Sequence, residues 1–285
     1  MNKNHYFIIV WVLICILHSC NKQEIFNPSR YILAESKLEN SGSKIIKQFN
    51  YSDKELISVD LVQEKINLKF EYNKDKTVKK ITSSDASYAL FEYDKKHITQ
   101  IQYYEGGKLT HENKFYRKEK KNTINKIETY TYDGFSSEGI LLKMLFPESK
   151  SVPEAFRKMH KSTDGSLYAV RNVTYEGDNI QRVRLYYIAN NERVEYSTTT
   201  YSYDDKKNPY YGLPYAFLDL TGYNKNNAVT EIISYENHAQ NILLFTIRKE
   251  YAYEHKYPTT CSITERTTTT SNNDSTKYSL NYLYK

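Results

Sequence analysis

Apolar side chains recur at every second position in short runs, and turn-forming polar residues separate the runs. In Leu68, Lys69, Phe70, Glu71, Tyr72 the alternation puts the apolar residues on one face of a strand and the charges on the other. A longer repeat overlies this pattern: an aromatic residue, any residue, tyrosine, a turn, then an aliphatic pair. Phe49 and Tyr51 are followed by Leu56 and Ile57, Phe70 and Tyr72 by Val78 and Ile81, and Phe91 and Tyr93 by Ile98 and Ile101. The tyrosines of these copies stand 21 residues apart. Two strands of about five or six residues with their connections take that length, so each copy is predicted to be one β-hairpin. Looser copies follow at Val173 and Tyr175 with Ile180 and Val183, at Tyr201 and Tyr203, at Ile233 and Tyr235, and at Tyr251 and Tyr253.

The sharpest hairpin covers residues 98–115, where Gly106 and Gly107 can take the positive φ angles of a two-residue turn. With those glycines as the loop, Glu105 faces Lys108, Tyr104 faces Leu109, Gln102 faces His111 and Ile98 faces Phe115. Two stretches interrupt the strands. Residues 139–146 are apolar and end at Pro147, after which Ser151, Val152, Pro153 and Glu154 predict a capped helix to about His160. Residues 208–220 read as a long connection with one helical turn, a candidate ligand or lid loop through Tyr210, Tyr211 and Tyr215. The fold class expected is all-β: a long antiparallel meander of tyrosine-rich hairpins forming a curved sheet or barrel, with one or two short helices in connections. At roughly 8 to 12 residues per strand it holds on the order of sixteen strands.

The N-terminus departs from this pattern. Residues 6–17 form an uncharged apolar run, shorter than the roughly 18 residues a spanning helix needs and matched to a secretory signal. Leu17, His18, Ser19 and Cys20 then resemble the box of a lipoprotein signal peptidase. Only cysteine supplies the thiolate that accepts a diacylglyceryl group, so Cys20 is the expected lipidation site and the new N-terminus. Several acyl chains, at about 0.8 kcal/mol per buried methylene, would hold it on a membrane. The organisation expected is a lipoprotein signal peptide over 1–19, a lipidated tether over 20–40 and a single β-meander domain over 41–285. The lipid anchor assigns the chain to the outer membrane of a cell envelope and leaves the leaflet open.

Composition adds exclusions. The chain has 3 cysteines, of which Cys15 leaves with the signal and Cys20 is acylated. Cys261 then has no disulfide partner, and its β-branched surroundings suggest a half-buried strand thiol. The formal charge of +6 is spread among interleaved acids, as in Arg117, Lys118, Glu119, Lys120, Lys121. That pattern marks a solvated hairpin tip and no nucleic-acid groove. The 29 tyrosines suit a pleated, half-buried sheet surface.

One block carries a family resemblance. Tyr203, Asp204, Asp205, Lys206, Lys207, Asn208, Pro209, Tyr210, Tyr211, Gly212, Leu213, Pro214, then Lys225, Asn226, Asn227, Val229 and Thr230, resembles the signature of uncharacterised Bacteroidota lipoproteins with a porin-like fold. Gly107, Lys108, Leu109, Thr110 is also similar to tyrosine-aspartate repeats. The resemblance implies a curved or closed antiparallel meander and no known activity, so it assigns no catalytic residue.

No local catalytic constellation stands out. His97, His111, His160, His238 and His255 are scattered without metal-ligand spacing, and no P-loop, nucleophile elbow or dinucleotide fingerprint occurs. No cofactor, metal or catalytic residue is indicated. Asp204 and Asp205 are the nearest to a carboxylate pair, and a turn before Asn208 and Pro209 explains them. Asp274, Ser275, Thr276 is similar to a short bacterial O-glycosylation site, making Ser275 a candidate for modification. The function expected is a membrane-anchored, non-catalytic binding or scaffold module for a glycan, peptide or envelope protein. The alternatives are a glycoside-hydrolase-like enzyme with carboxylates assembled across strands, or a membrane-embedded β-barrel.

Overall fold

The computed structural model describes residues 32–39, 42–118, 123–132, 140–145, 165–211, 213, 224–235, 242–269 and 272–284. The expected signal peptide, Cys20, the helix expected at 153–160 and Tyr215 lie outside the described residues. Sixteen strands follow in chain order. The first eight are β1 (Ile32–Glu39), β2 (Gly42–Ser52), β3 (Glu55–Leu61), β4 (Ile66–Tyr72), β5 (Val78–Ser83), β6 (Tyr88–Asp94), β7 (His97–Glu105) and β8 (Lys108–Arg117). The rest are β9 (Ile124–Thr131), β10 (Ser166–Glu176), β11 (Asn179–Ala189), β12 (Glu192–Lys207), β13 (Asn226–Tyr235), β14 (Ile242–Glu254), β15 (Tyr257–Thr269) and β16 (Asn273–Tyr284). A short helix, α1 (Ile140–Leu145), falls in the β9–β10 connection.

Each strand pairs antiparallel with its neighbours in sequence, and β1 pairs with β16, so the meander closes into a barrel. Closure removes the unpaired edges that an open tyrosine-rich sheet would expose. The repeat of Phe49, Phe70 and Phe91 corresponds to the hairpins β2–β3, β4–β5 and β6–β7. Their turns carry positive φ at Asp53 and Lys54, at Lys76 and at Lys95, so polar residues do here what glycine does at Gly106 and Gly107.

Two expectations are corrected. The tether does not run to residue 40, because Ile32–Glu39 is β1, with Ile32 and Ala34 buried and Glu35 and Lys37 paired against β16. In the glycine hairpin Glu105 faces Lys108 and Tyr104 faces Leu109 as expected, but His111 faces Tyr103 and Glu112 faces Gln102. A bulge between Tyr103 and Tyr104 inserts the extra residue and shifts every later pair by one position. The expected pairing of Ile98 with Phe115 breaks that shifted register, which continues to Gln100 opposite Lys114.

The interior is filled unevenly. Leu141, Leu142 and Leu145 of α1 are buried in one cluster with Val59, Leu68, Ile81, Ile101 and Ile127, residues drawn from β3 to β9. A helix buried in one cluster with residues of that many strands lies on their common, inward face. Asn113 fixes it there, donating from Nδ2 to the Leu145 carbonyl at 3.2 Å while accepting from the Thr129 hydroxyl at 2.7 Å. Truncating one such leucine to alanine in a packed core costs about 2–5 kcal/mol.

Tyrosines stitch one rim. The Tyr51 hydroxyl donates to the Ile32 carbonyl at 3.0 Å, Tyr203 to Ile180 at 2.6 Å, Tyr251 to Ala228 at 3.2 Å and Tyr284 to Pro258 at 2.8 Å. Tyr72 donates likewise to Leu56. In each case the end of an even strand reaches the start of an odd one one hairpin back, so the repeated tyrosine ties neighbouring hairpins together.

Candidate functional site

The inward face changes character where the barrel closes. Tyr282 and Tyr284 of β16 pack against the same interior cluster as the α1 leucines, which makes their parity inward. Residues directly opposite one another in an antiparallel pair share a face. Tyr282 faces Glu35, and Glu35 faces Lys47 of β2. On the same wall Leu280 faces Lys37 and Cys261, Cys261 faces Tyr251, and Ile263 faces Lys249 and Tyr278. Where β3–β7 present mainly aliphatic and aromatic side chains inward, the seam from β14 through β1 to β2 presents lysines, glutamates and tyrosines.

These groups interact. Lys47 pairs with Glu35 at 2.8 Å, and the Glu35 side chain is only 2 % exposed. Lys47 is part-exposed, so the pair is fixed from the Glu35 side: removing Lys47 would leave the buried carboxylate without its cation. Lys47 also lies 5.9 Å from the Tyr210 ring centre, and Lys37 lies 5.1 Å from that of Tyr278. Tyr278 donates its hydroxyl to Glu265 at 2.9 Å. Burial, with the Glu35 charge beside it, drives the Tyr282 hydroxyl far above the ordinary tyrosine range. Burial also pushes the Cys261 thiol up to about 11, only partly offset by Lys249 and by hydrogen bonds from Tyr251 and Tyr282. Cys261 is a protonated thiol at neutral pH and lacks the thiolate a nucleophile needs. The wall can donate hydrogen bonds and pair with charges, and it holds no activated nucleophile.

The lid residues separate. Tyr210 turns inward, 6.3 Å from the Phe49 ring at 41°, and its backbone N–H donates to Asn208 Oδ1 at 3.0 Å. Tyr211, its neighbour, is 46 % exposed. Tyr210 therefore closes over Lys47 and Phe49 as part of the interior packing, and Leu213 is buried beside it. Ser275 is exposed within β16, opposite Arg266.

Asp204 and Asp205 do not form a carboxylate pair. Asp204 sits in an irregular stretch of β12 between Tyr203 and Lys207 and accepts from the Asn227 N–H at 3.2 Å, the Lys206 N–H at 3.0 Å and the Tyr253 hydroxyl. Asp205 points to water and pairs with Lys206 at 2.8 Å. The surrounding asparagines complete a polar clamp. Asn208 donates to the Asn224 carbonyl at 2.9 Å, Asn224 accepts from the Ile180 N–H at 2.6 Å, and Asn179 accepts from the Asn226 N–H at 3.1 Å. The residues of the resembling block thus bind the ends of a long connection to the β10–β11 hairpin.

Sequence reading missed the seam residues because β1–β2 and β14–β16 are remote along the chain. One signal was present: Lys47 shares the parity of Phe49 and Tyr51, so a charge occupies an otherwise inward series. Among the described residues, no group of three or more His, Cys, Asp or Glu is placed to hold a metal ion.

No protein-family model matches the chain, and no curated protein matches it. Among solved structures, a porin-like protein from Bacteroides uniformis is similar over 92% of this chain and 93% of its own, at 14% identity and a TM-score of 0.48. A porin-like protein from Bacteroides vulgatus is similar over 90% of this chain and 99% of its own, at 11% identity and a TM-score of 0.34. The TcdB2-TccC3 assembly matches over 85% of this chain and 13% of its own, at 13% identity and a TM-score of 0.33.

Proposed function

We propose that the chain is a cell-envelope lipoprotein, held to the outer membrane by acyl chains on Cys20, whose barrel stands in water as a non-catalytic binding module. The observation that carries this reading is the polarity of the outward faces of β4 to β6. Opposite in parity to the buried Leu68, Phe70 and Ile81, the side chains of Lys69 and Glu71 are exposed, the half-buried Lys80 of β5 faces Glu71, and Glu92 of β6 is exposed likewise. A membrane barrel needs an outward apolar band about 25 Å tall, and a lysine at its midplane costs about 2–4 kcal/mol. Charges on adjacent strands favour water over hydrocarbon. The seam wall supports a binding role, since it converges lysines, a carboxylate and tyrosine hydroxyls without an activated nucleophile.

Fractionation of the exported chain tests the reading. Wild type is expected in the membrane pellet, and Cys20→Ala in the soluble fraction as a folded protein. A Cys20→Ala chain that still needs detergent for extraction would refute both the lipid anchor and the water-facing barrel.

A further inference from the structure

The outward face of β6–β9 differs from the plain charged surface of β4 and β5. Since Asn113 points inward to α1, its neighbours Glu112 and Lys114 point outward. Cross-strand pairing then lays out a lattice: Tyr88 faces Tyr104, Gln102 faces Glu112 and Glu112 faces Tyr130, Gln100 faces Lys114 and Lys114 faces Glu128, and Tyr116 faces Lys126. The rings of Tyr88 and Tyr104 stack at 4.8 Å and 6°. Tyr116 and Tyr130 both donate to Glu128, at 2.7 and 3.0 Å, and Tyr132 donates to Glu112 at 3.3 Å. Lys126 lies 3.8 Å from the centre of the Tyr116 ring and Lys114 4.6 Å from that of Tyr130.

Two outward carboxylates are thereby covered, with Glu112 4% and Glu128 8% exposed. The rings above them are held by their hydroxyls at one end and by ammonium groups at the face, so little side-chain freedom is lost when something lands on them. Charge is balanced locally, Lys114 against Glu112 at 3.0 Å and Lys126 against Glu128 at 2.8 Å. A highly charged ligand therefore finds no net complement here. A ligand with apolar C–H faces and a ring of hydroxyls does, because the faces stack on tyrosine and the hydroxyls meet the amides of Gln100 and Gln102.

We propose that this face is a platform for a neutral, flat oligosaccharide, with Tyr104 and Tyr130 as stacking residues. The proposal rests on the barrel being a water-facing binding module. Calorimetric titration of the full chain, in a detergent without a sugar headgroup, with the β-1,4-linked hexasaccharides of glucose, mannose and xylose tests it. At least one is expected to bind saturably. Tyr104→Ala and Tyr130→Ala are each expected to weaken it by about tenfold, the upper range for one aromatic contact. Tyr130→Phe, which keeps the ring, and Lys69→Ala, on the plain surface of β4, are expected to bind as wild type. Circular dichroism of each variant separates lost binding from lost fold. Silence with all three sugars, or binding that survives both alanine substitutions in folded protein, would overturn the platform. The Cys20→Ala fractionation reads out independently of either result.

Discussion

Tyr51 donates its hydroxyl to the carbonyl of Ile32, nineteen residues earlier, and so ties the second strand to the beginning of the first. Tyr203 does the same for Ile180 on the far side of the sequence. A buried carbonyl that loses its donor keeps its desolvation cost, so Tyr51→Phe and Tyr203→Phe are each expected to destabilise the fold by about 1 kcal/mol. The two bonds lie in different strand pairs, β1–β2 and β11–β12, and the double variant is expected to lose the sum. Urea midpoints at constant m-value check this, and a double variant no weaker than either single one would contradict it.

His111 sets an acid limit. Its ring is inward and 0% exposed, edge-on to Tyr103 at 6.3 Å, and burial pushes its pKa from 6.5 down to about 4. In the unfolded chain the imidazole takes a proton near pH 6.5, and the folded chain refuses it until about pH 4. The stabilisation is therefore full above pH 6.5 and lost as pH falls toward 4, a loss of roughly 3 kcal/mol. His111→Gln is expected to flatten stability over that window. Urea melts from neutral pH to pH 4 measure the slope, and an unchanged slope in the variant would place its source elsewhere.

Tyrosines set the alkaline limit with the opposite sign. Tyr116, through its bond to Glu128 and then burial, and Tyr130 and Tyr175, through burial first, are pushed from 10.0 up to about 12. Unfolded tyrosine ionises first as pH rises, so this stabilisation is complete below about pH 10 and lost as pH rises through about 12. Tyrosinate absorbance is expected to appear in a small early phase and then in a cooperative step that coincides with loss of the β-sheet signal. A smooth titration of all tyrosines near pH 10 without unfolding would count against the buried hydroxyls.

Gly165 is expected to resist substitution. A Cβ there would stand 2.5 Å from Tyr132 Cε1, and its φ of +76° belongs to the left-handed region. Gly165→Ala combines a steric clash with backbone strain and is expected to cost about 1–3 kcal/mol. Tyr132 covers Glu112 through its hydroxyl, so the displaced ring also exposes that carboxylate. Tyr132→Ala in the Gly165→Ala background is expected to recover part of the loss by removing the clash, and thermal melts of the pair measure it.

The hairpin order was legible because Phe49, Tyr51 and Leu56 obey two local periods at once, one of two residues and one of about 21. The acceptor of the tyrosine hydroxyl was not, since a carbonyl in another hairpin leaves no mark on the sequence. Gln102 was matched to His111 because a bulge adds a residue without changing composition. Residues 32–39 looked like tether for a related reason. Glu35 and Lys37 are polar, yet they face inward against β16 and belong to the barrel. Asp204 was read as a turn residue, and its role as acceptor for Asn227 and Tyr253 depends on strands more than twenty residues away.

Ile32 faces Tyr284, so the first described strand finds its partner only when the last is available. Every other pairing is between sequence neighbours and can form early, whereas this one spans the whole described chain. Contacts of such separation are slow to form, since the loop entropy is lost before the contact rewards it. Closure is then the final folding event. Until it occurs β1 and β16 present open edges to neighbouring chains, and a chain cut before β16, left with β1 and β15 as edges, is expected to assemble with others instead of closing.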